Sequence, residues 1–173
     1  DFTVNDDNYD QNRHFFLSQY FYENYDNFAA HLPFVSSGIN ITRVEVWVTN
    51  KSGRYDQARN VVAFADLGEN NRLNNDYWSA NQSVPVPSNN SNNLLQIIKT
   101  DYPDARNINQ VTQALEPLSA FGVEGGRDYE KIESARLLSE NEYTLNSTLG
   151  YISLRSQINA DEVLGIAFQY TYN

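Results

Sequence analysis

Two hydrophobic periodicities divide the chain, and the first predicts a helix near its start. Five apolar residues there recur at spacings of three and four: Leu17, Phe21, Tyr25, Phe28 and Leu32. That spacing is the apolar stripe of an amphipathic helix. It predicts one long N-terminal helix over residues 12–31, capped by Asp10 and ended by Pro33.

The second periodicity is an alternation with a period of two, which predicts strands. It is clearest from Ile39 to Asn50, before the turn residues Lys51-Ser52-Gly53. In the last strand the large residues share one face, and Gly165 and Ala167 lie on the other. Further strands are expected at residues 60–67, 129–138, 143–145, 151–154 and 163–172.

The middle of the chain shows neither periodicity over most of its length. Residues 70–93 are polar and rich in Asn, Ser and Pro, which predicts a long polar loop. Short helices are expected at residues 94–100 and 108–115. Together these elements predict one α+β domain over residues 1–173, mainly antiparallel sheet with one long N-terminal amphipathic helix and short helices in the middle.

Charge and composition exclude several classes of partner. The chain has 22 acidic and 12 basic residues, a net charge of −10, and its basic residues are scattered. Nucleic acid and anionic membrane surfaces both require clustered Lys and Arg, so neither is an expected partner. The chain has no Cys and no apolar run long enough to span a membrane as a helix, so we expect a soluble domain. It begins at Asp1 without a signal peptide, which suggests a piece of a longer protein.

A metal site is weakly indicated at one place. Asp6, Asn8 and Asp10 alternate like the first ligands of a calcium loop. However, Gln11 and Leu17 occupy the positions where that loop needs Gly and a bidentate Glu. The pattern therefore favours a capped, solvated loop over a calcium site, and no cofactor is expected.

Reaction chemistry is also not indicated. The glycine-rich residues 124–127 lack the following Lys-Ser/Thr of a phosphate loop, and no G-x-S-x-G sequence occurs. The spacing of Glu130, Glu133, Glu140 and Glu142 favours a solvated acidic face over a glycosidase pair. We therefore expect a protein that is not an enzyme. Four aromatic residues would suit stacking on sugar rings if they are exposed, which makes glycan binding the alternative function: Tyr77, Trp78, Tyr102 and Tyr129.

Six stretches, taken together, resemble one known family. They run over residues 12–26 (NRHFFLSQYFYENYD), 38–54 (GINITRVEVWVTNKSGR), 60–69 (NVVAFADLGE), 105–118 (ARNINQVTQALEPL), 126–154 (GRDYEKIESARLLSENEYTLNSTLGYISL) and 161–173 (DEVLGIAFQYTYN). In this order they are similar to the soluble region of the SprA/Sov family. That family comprises very large outer-membrane proteins of Bacteroidetes associated with gliding motility and type IX secretion. Residues 70–104 carry no part of the resemblance.

The resemblance implies a role in protein export. Family members form an outer-membrane translocon, so this chain would be an excised soluble domain in the cell envelope, on the periplasmic or extracellular face. Its partners would be other regions of the parent translocon and secretion-system proteins, and it would not insert into the membrane itself. The family supplies no catalytic residues. The residues expected to serve structure or partner contacts are Arg43, Glu45, Trp47, Asp128, Tyr129 and Glu130.

Overall fold

Two antiparallel sheets and three short α-helices form the described part of the chain. The computed structural model describes residues 10–31, 33–53, 58–64, 90 and 92–172. The strands are β1 (His14–Phe16), β2 (Ile39–Val48), β3 (Arg59–Phe64), β4 (Tyr129–Leu137), β5 (Tyr143–Asn146), β6 (Tyr151–Leu154) and β7 (Leu164–Tyr172). The helices are α1 (Gln19–Ala29), α2 (Leu94–Asp101) and α3 (Val111–Leu115), with 3-10 turns at Pro103–Arg106 and Glu116–Phe121. Most of the polar loop expected at residues 70–93 lies outside the described residues.

The predicted long N-terminal helix is wrong. Asn12 has a φ of 54°, which a helix does not tolerate, and residues 14–16 form β1 instead. Aromatic residues suit a strand, and β1 pairs with β6 through Phe15 and Ile152. Ser18 is extended, and α1 begins only at the next residue. Asp10 is no helix cap, because its carboxylate accepts a hydrogen bond from Arg13.

The smaller sheet has the order β1-β6-β5, and α1 follows directly from β1. The Leu17 N–H donates to the carbonyl of Gly150, at 2.9 Å, which joins the start of the helix to the turn before β6. Phe21 of α1 is fully buried, and its ring lies 6.2 Å from that of Phe168 on β7. The main core therefore lies between α1, the smaller sheet and the β2–β7 pair. Its buried members are Leu17, Phe21, Ile39, Ile41, Val46, Val48, Leu138, Tyr143, Ile152 and Leu154.

The larger sheet has the order β3-β4-β2-β7 and curls like half a barrel. β2 pairs with β7 along its length but with β4 only at Trp47–Leu137 and Val48–Arg136. The rest of β4 pairs with β3, and Ser134 in β4 has a φ of 52° where the register shifts. A bulge of this kind bends a strand. The curl brings β3 and β4 over β7, where the Gly165 backbone leaves room for Ile132.

A second core lies beneath the short helices. α2, α3 and the following 3-10 turn pack their apolar sides together and against Val62 and Phe64 of β3. Its buried members are Leu94, Ile98, Ala105, Val111, Leu115, Leu118, Val123 and Tyr129. None of the described helices has the length and apolar character needed to cross a membrane.

Two glycines test how tightly the main core is built. Gly150 and Gly53 have nearly equal φ angles, 68° and 69°, so alanine strains the backbone equally at both. A Cβ at Gly150 would overlap the buried Phe21 ring, whereas a Cβ at Gly53 has no atom within 4 Å. We expect Gly53→Ala to cost about 1 kcal/mol and Gly150→Ala to cost about 2 kcal/mol more.

Urea unfolding of both variants measures that difference. Equal losses in the free energy of unfolding would contradict the packing of Phe21 against Gly150.

Candidate functional site

The charged residues predicted on β2 pair with each other. Arg43 Nη2 lies 2.5 Å from Glu45 Oε1, and the Arg43 side chain is 70% exposed. An exposed pair of this kind contributes little to stability. Trp47 is buried, and the Arg59 guanidinium lies 5.8 Å from the centre of its ring. Arg43 and Glu45 thus form an exposed ion pair, while Trp47 packs with Ile132 and Ala135 inside the larger sheet.

Asp128 closes the glycine-rich turn before β4. Its side chain is fully buried, and Oδ2 accepts hydrogen bonds from the Glu124 N–H at 2.9 Å and from Arg127 Nε at 2.9 Å. The hydrogen bond to Asp128 raises the pKa of the Arg127 guanidinium. Gly126 supplies the positive φ that the turn needs. The carboxylate therefore holds the chain in position where it enters the sheet.

The remaining described candidates, Tyr129, Tyr102 and Glu130, do not form a common site. Tyr129 is buried in the second core, where its ring lies 6.0 Å from Phe64, and Tyr102 packs against the same core. Glu130 Oε1 accepts from the next main-chain N–H. The positions of Tyr77, Trp78, Asp6 and Asn8 lie outside the described residues.

Asp10 is exposed and lies near two basic side chains. Its carboxylate is 3.2 Å from Arg13 and 3.7 Å from His14. Within the described part of the chain, no group of three His, Asp or Glu side chains has the geometry to hold a metal ion. Asp10 is thus placed in a surface ion-pair group.

An exposed group of aromatic rings lies where β1, α1 and β6 meet. We call it the Phe16 cluster, and it comprises Phe16, Tyr22, Tyr25 and Tyr151. The Phe16 ring contacts the other three edge-on, at centroid distances of 5.6, 5.5 and 6.2 Å. Tyr22 is 63% exposed and Tyr25 is 36% exposed. Beside them is a shallow cavity of about 270 Å³ that His14 also lines.

Local structure explains how these rings come together. β1 pairs Phe16 directly with Tyr151. α1 carries Tyr22 and Tyr25 three residues apart, so both project from one side of the helix. His14 Nδ1 lies 2.8 Å from Ser153 Oγ, which places a polar edge beside the rings. The helix predicted over residues 12–31 concealed this cluster, because it assigned Phe16 to a helix and counted Tyr25 on the apolar stripe.

A polar cleft of about 480 Å³ lies at the opposite end of β6. Arg136 Nη1 binds both carboxylate oxygens of Glu142, at 2.8 and 2.9 Å, and Ser139 donates to Glu142 from its N–H and its hydroxyl. Burial raises the pKa of Glu142, but the hydrogen bonds from Ser139 and Arg136 outweigh it, so the pKa lies below its ordinary value of 4.5. Lys51 and Asp161 form a further ion pair beside the cleft. These groups are engaged with each other, which favours a structural role for the cleft.

The sequence matches no protein-family model and has no significant match among curated proteins.

The Glu142 hydrogen bonds predict a pH-dependent contribution to stability. Because the folded pKa is lowered, the stabilisation is present above the unfolded pKa and is lost as the pH falls through the folded value. Glu142 is partly exposed, so we expect Glu142→Gln to cost only about 1 kcal/mol at pH 7. Below the folded pKa the cost should disappear, since the native carboxyl is then also neutral.

Urea unfolding at pH 7 and in acid checks this expectation, with Glu140→Gln as the control for the same charge change on an exposed side chain. A loss for Glu142→Gln that persists unchanged in acid would contradict the role given to the charged carboxylate.

Proposed function

We propose that this chain is a non-catalytic interaction domain of an outer-membrane protein-secretion translocon, of the kind associated with type IX secretion and gliding motility. The resemblance to the SprA/Sov family supports this. One structural observation carries it further. Two of the resembling stretches, residues 12–26 and 126–154, are distant in sequence but meet in space to form the Phe16 cluster.

The Phe16 cluster has the chemistry of a protein contact surface. Tyr22 and Tyr25 offer large apolar area with a polar tip, and aromatic residues of this type dominate the binding energy of interfaces. Their edge-on contacts with Phe16 already order the rings before a partner arrives. Less conformational entropy is then lost on binding.

The acidity of the chain suggests what kind of partner it meets. A net charge of −10 favours approach to a surface with positive charge and disfavours approach to another acidic one. In the proposed setting the partner is another region of the parent translocon or a secretion-system protein. The domain would act in the cell envelope, at the periplasmic or extracellular face of the outer membrane.

Glycan binding is a second candidate, and the same cluster favours it. Exposed rings beside a cavity of about 270 Å³ can stack on sugar faces, and His14 and the Tyr hydroxyls can bind sugar hydroxyls. The two functions use the same residues but different ligands. A variant without the rings therefore distinguishes the two functions by whether protein binding or glycan binding is lost.

The double variant Tyr22→Ala, Tyr25→Ala in the full-length parent protein tests both candidates. We expect it to fold normally, since both rings are exposed and alanine suits a helix. Protein secretion should fall strongly, because losing two interface aromatics weakens binding by about tenfold or more. Secretion assays and circular dichroism are the measurements. Phe34→Ala removes an aromatic ring that is 81% exposed and lies outside the cluster, so it is the matched control.

Normal secretion in the double variant would overturn the proposed interaction role. Micromolar binding of cell-wall or capsular sugars on a glycan array, lost in the double variant but kept in Phe34→Ala, would then establish the glycan-binding candidate.

A further inference from the structure

A groove of about 740 Å³ runs along the first part of β7. Leu164, Gly165 and Ile166 line one side of it. The residues that join β1 to α1, Leu17 and Ser18 among them, also line it. The groove is therefore bordered by the outer strand of the larger sheet and by the start of the helix. Its remaining side is formed by β3, the start of β4 and the turn before β4, where Phe64, Arg127 and Glu130 line it.

The main chain of β7 directs hydrogen-bonding groups away from β2 at every second residue. Thr49 N–H donates to Val163 O, at 3.1 Å, so Val163 faces β2 and its neighbour Leu164 faces outward. Val46 O accepts from Leu138 N–H on the β4 side, which means that Val46 and its partner Ile166 turn their main-chain groups away from each other. The same alternation turns Phe168 outward. Among the described strands, none pairs with this side of β7.

The β7 edge also lacks the features that normally prevent strand pairing. Outer strands are protected by charged residues, proline, bulges or short length. β7 is nine residues long with no charged residue or proline, and the register shift opposite it lies in β2. The other described outer strands differ: β1 and β5 have three and four residues, and β3 has six residues and carries the charged Arg59. A long, uncharged edge of this kind suits a strand that is covered in use.

A polar group beside the groove points to the same conclusion. Ser18 is 9% exposed, and its hydroxyl has no hydrogen-bond partner among the described residues, not even as a cap of α1. A buried hydroxyl without a partner is costly. Ser18 lines the groove, where the carbonyl of an added strand would be a suitable acceptor for a hydroxyl turned towards it.

We propose that the free edge of β7 binds an extended segment of a partner protein as an added β-strand. The segment is apolar at alternate positions, because Leu164, Ile166 and Phe168 form a partly exposed apolar row that a neighbouring strand would cover. A second copy of this chain is disfavoured as the occupant, since each copy carries a charge of −10. This deepens the interaction role proposed above by naming the kind of segment that is bound.

Amide hydrogen exchange tests the added strand on the isotopically labelled chain. The probe is an end-capped synthetic peptide of about eight residues that alternates Val and Thr, used up to about 1 mM, where even weak binding is measurable. We expect about tenfold slower exchange at the N–H groups of Leu164, Ile166 and Phe168, because these face the edge. The N–H groups of β5, which lies outside the groove, are the internal control and should not change.

A second peptide with the same side chains but N-methyl groups on alternate amides along its pairing edge is the matched control. This peptide keeps the apolar surface but cannot form the main-chain hydrogen bonds with β7. It should therefore leave the amides of Leu164, Ile166 and Phe168 unprotected. Three results would overturn the proposal: no protection at the highest peptide concentration, equal protection by the N-methylated peptide, or protection that rises with protein concentration alone, which would assign the edge to a second copy. Secretion by the Tyr22/Tyr25 double variant is measured separately, so the two proposals fail independently.

Discussion

Burial of Phe21 is the contact on which the rest of the structure depends. The ring is fully buried where α1, the turn at Gly150 and Phe168 of β7 meet, so one side chain links both sheets. Burying a Phe side chain contributes about 1.5–3 kcal/mol. Gly150 makes the contact possible because it has no Cβ, and its carbonyl also accepts from Leu17 N–H. The helix is thus held at its start by a hydrogen bond and along its length by packing.

Both proposed contact surfaces follow from this anchoring. With Phe21 inside, the helix must present Tyr22 and Tyr25 outward, next to the Phe16 ring that β1 holds against Tyr151. The same packing places the start of α1 across a groove from β7. The burial of Phe21 therefore positions both the aromatic cluster and the strand edge, which suits the proposed role in protein binding.

Local pattern predicted the strands well and the N-terminal helix badly. Alternation over residues 39–50 and 163–172 reflects burial on one face, and the structure has β2 and β7 there. The apolar stripe near the start is satisfied by a shorter helix, because residues 14–16 gain more from pairing with β6, more than 130 residues later. A pairing between residues so far apart in the sequence cannot be predicted from the spacing of apolar residues within one segment. The edge position of β7 and the positive φ of Ser134 that curls the sheet are likewise consequences of the assembled fold.

Hydroxyl-radical footprinting of the intact secretion assembly, compared with the isolated chain, tests the central claim that this is an interaction domain. The account predicts that oxidation of Tyr22 and Tyr25 slows in the assembly, because a partner covers the Phe16 cluster, while Phe34 is oxidised at the same rate in both. Equal oxidation of all three residues in the assembly and in the isolated chain would contradict it.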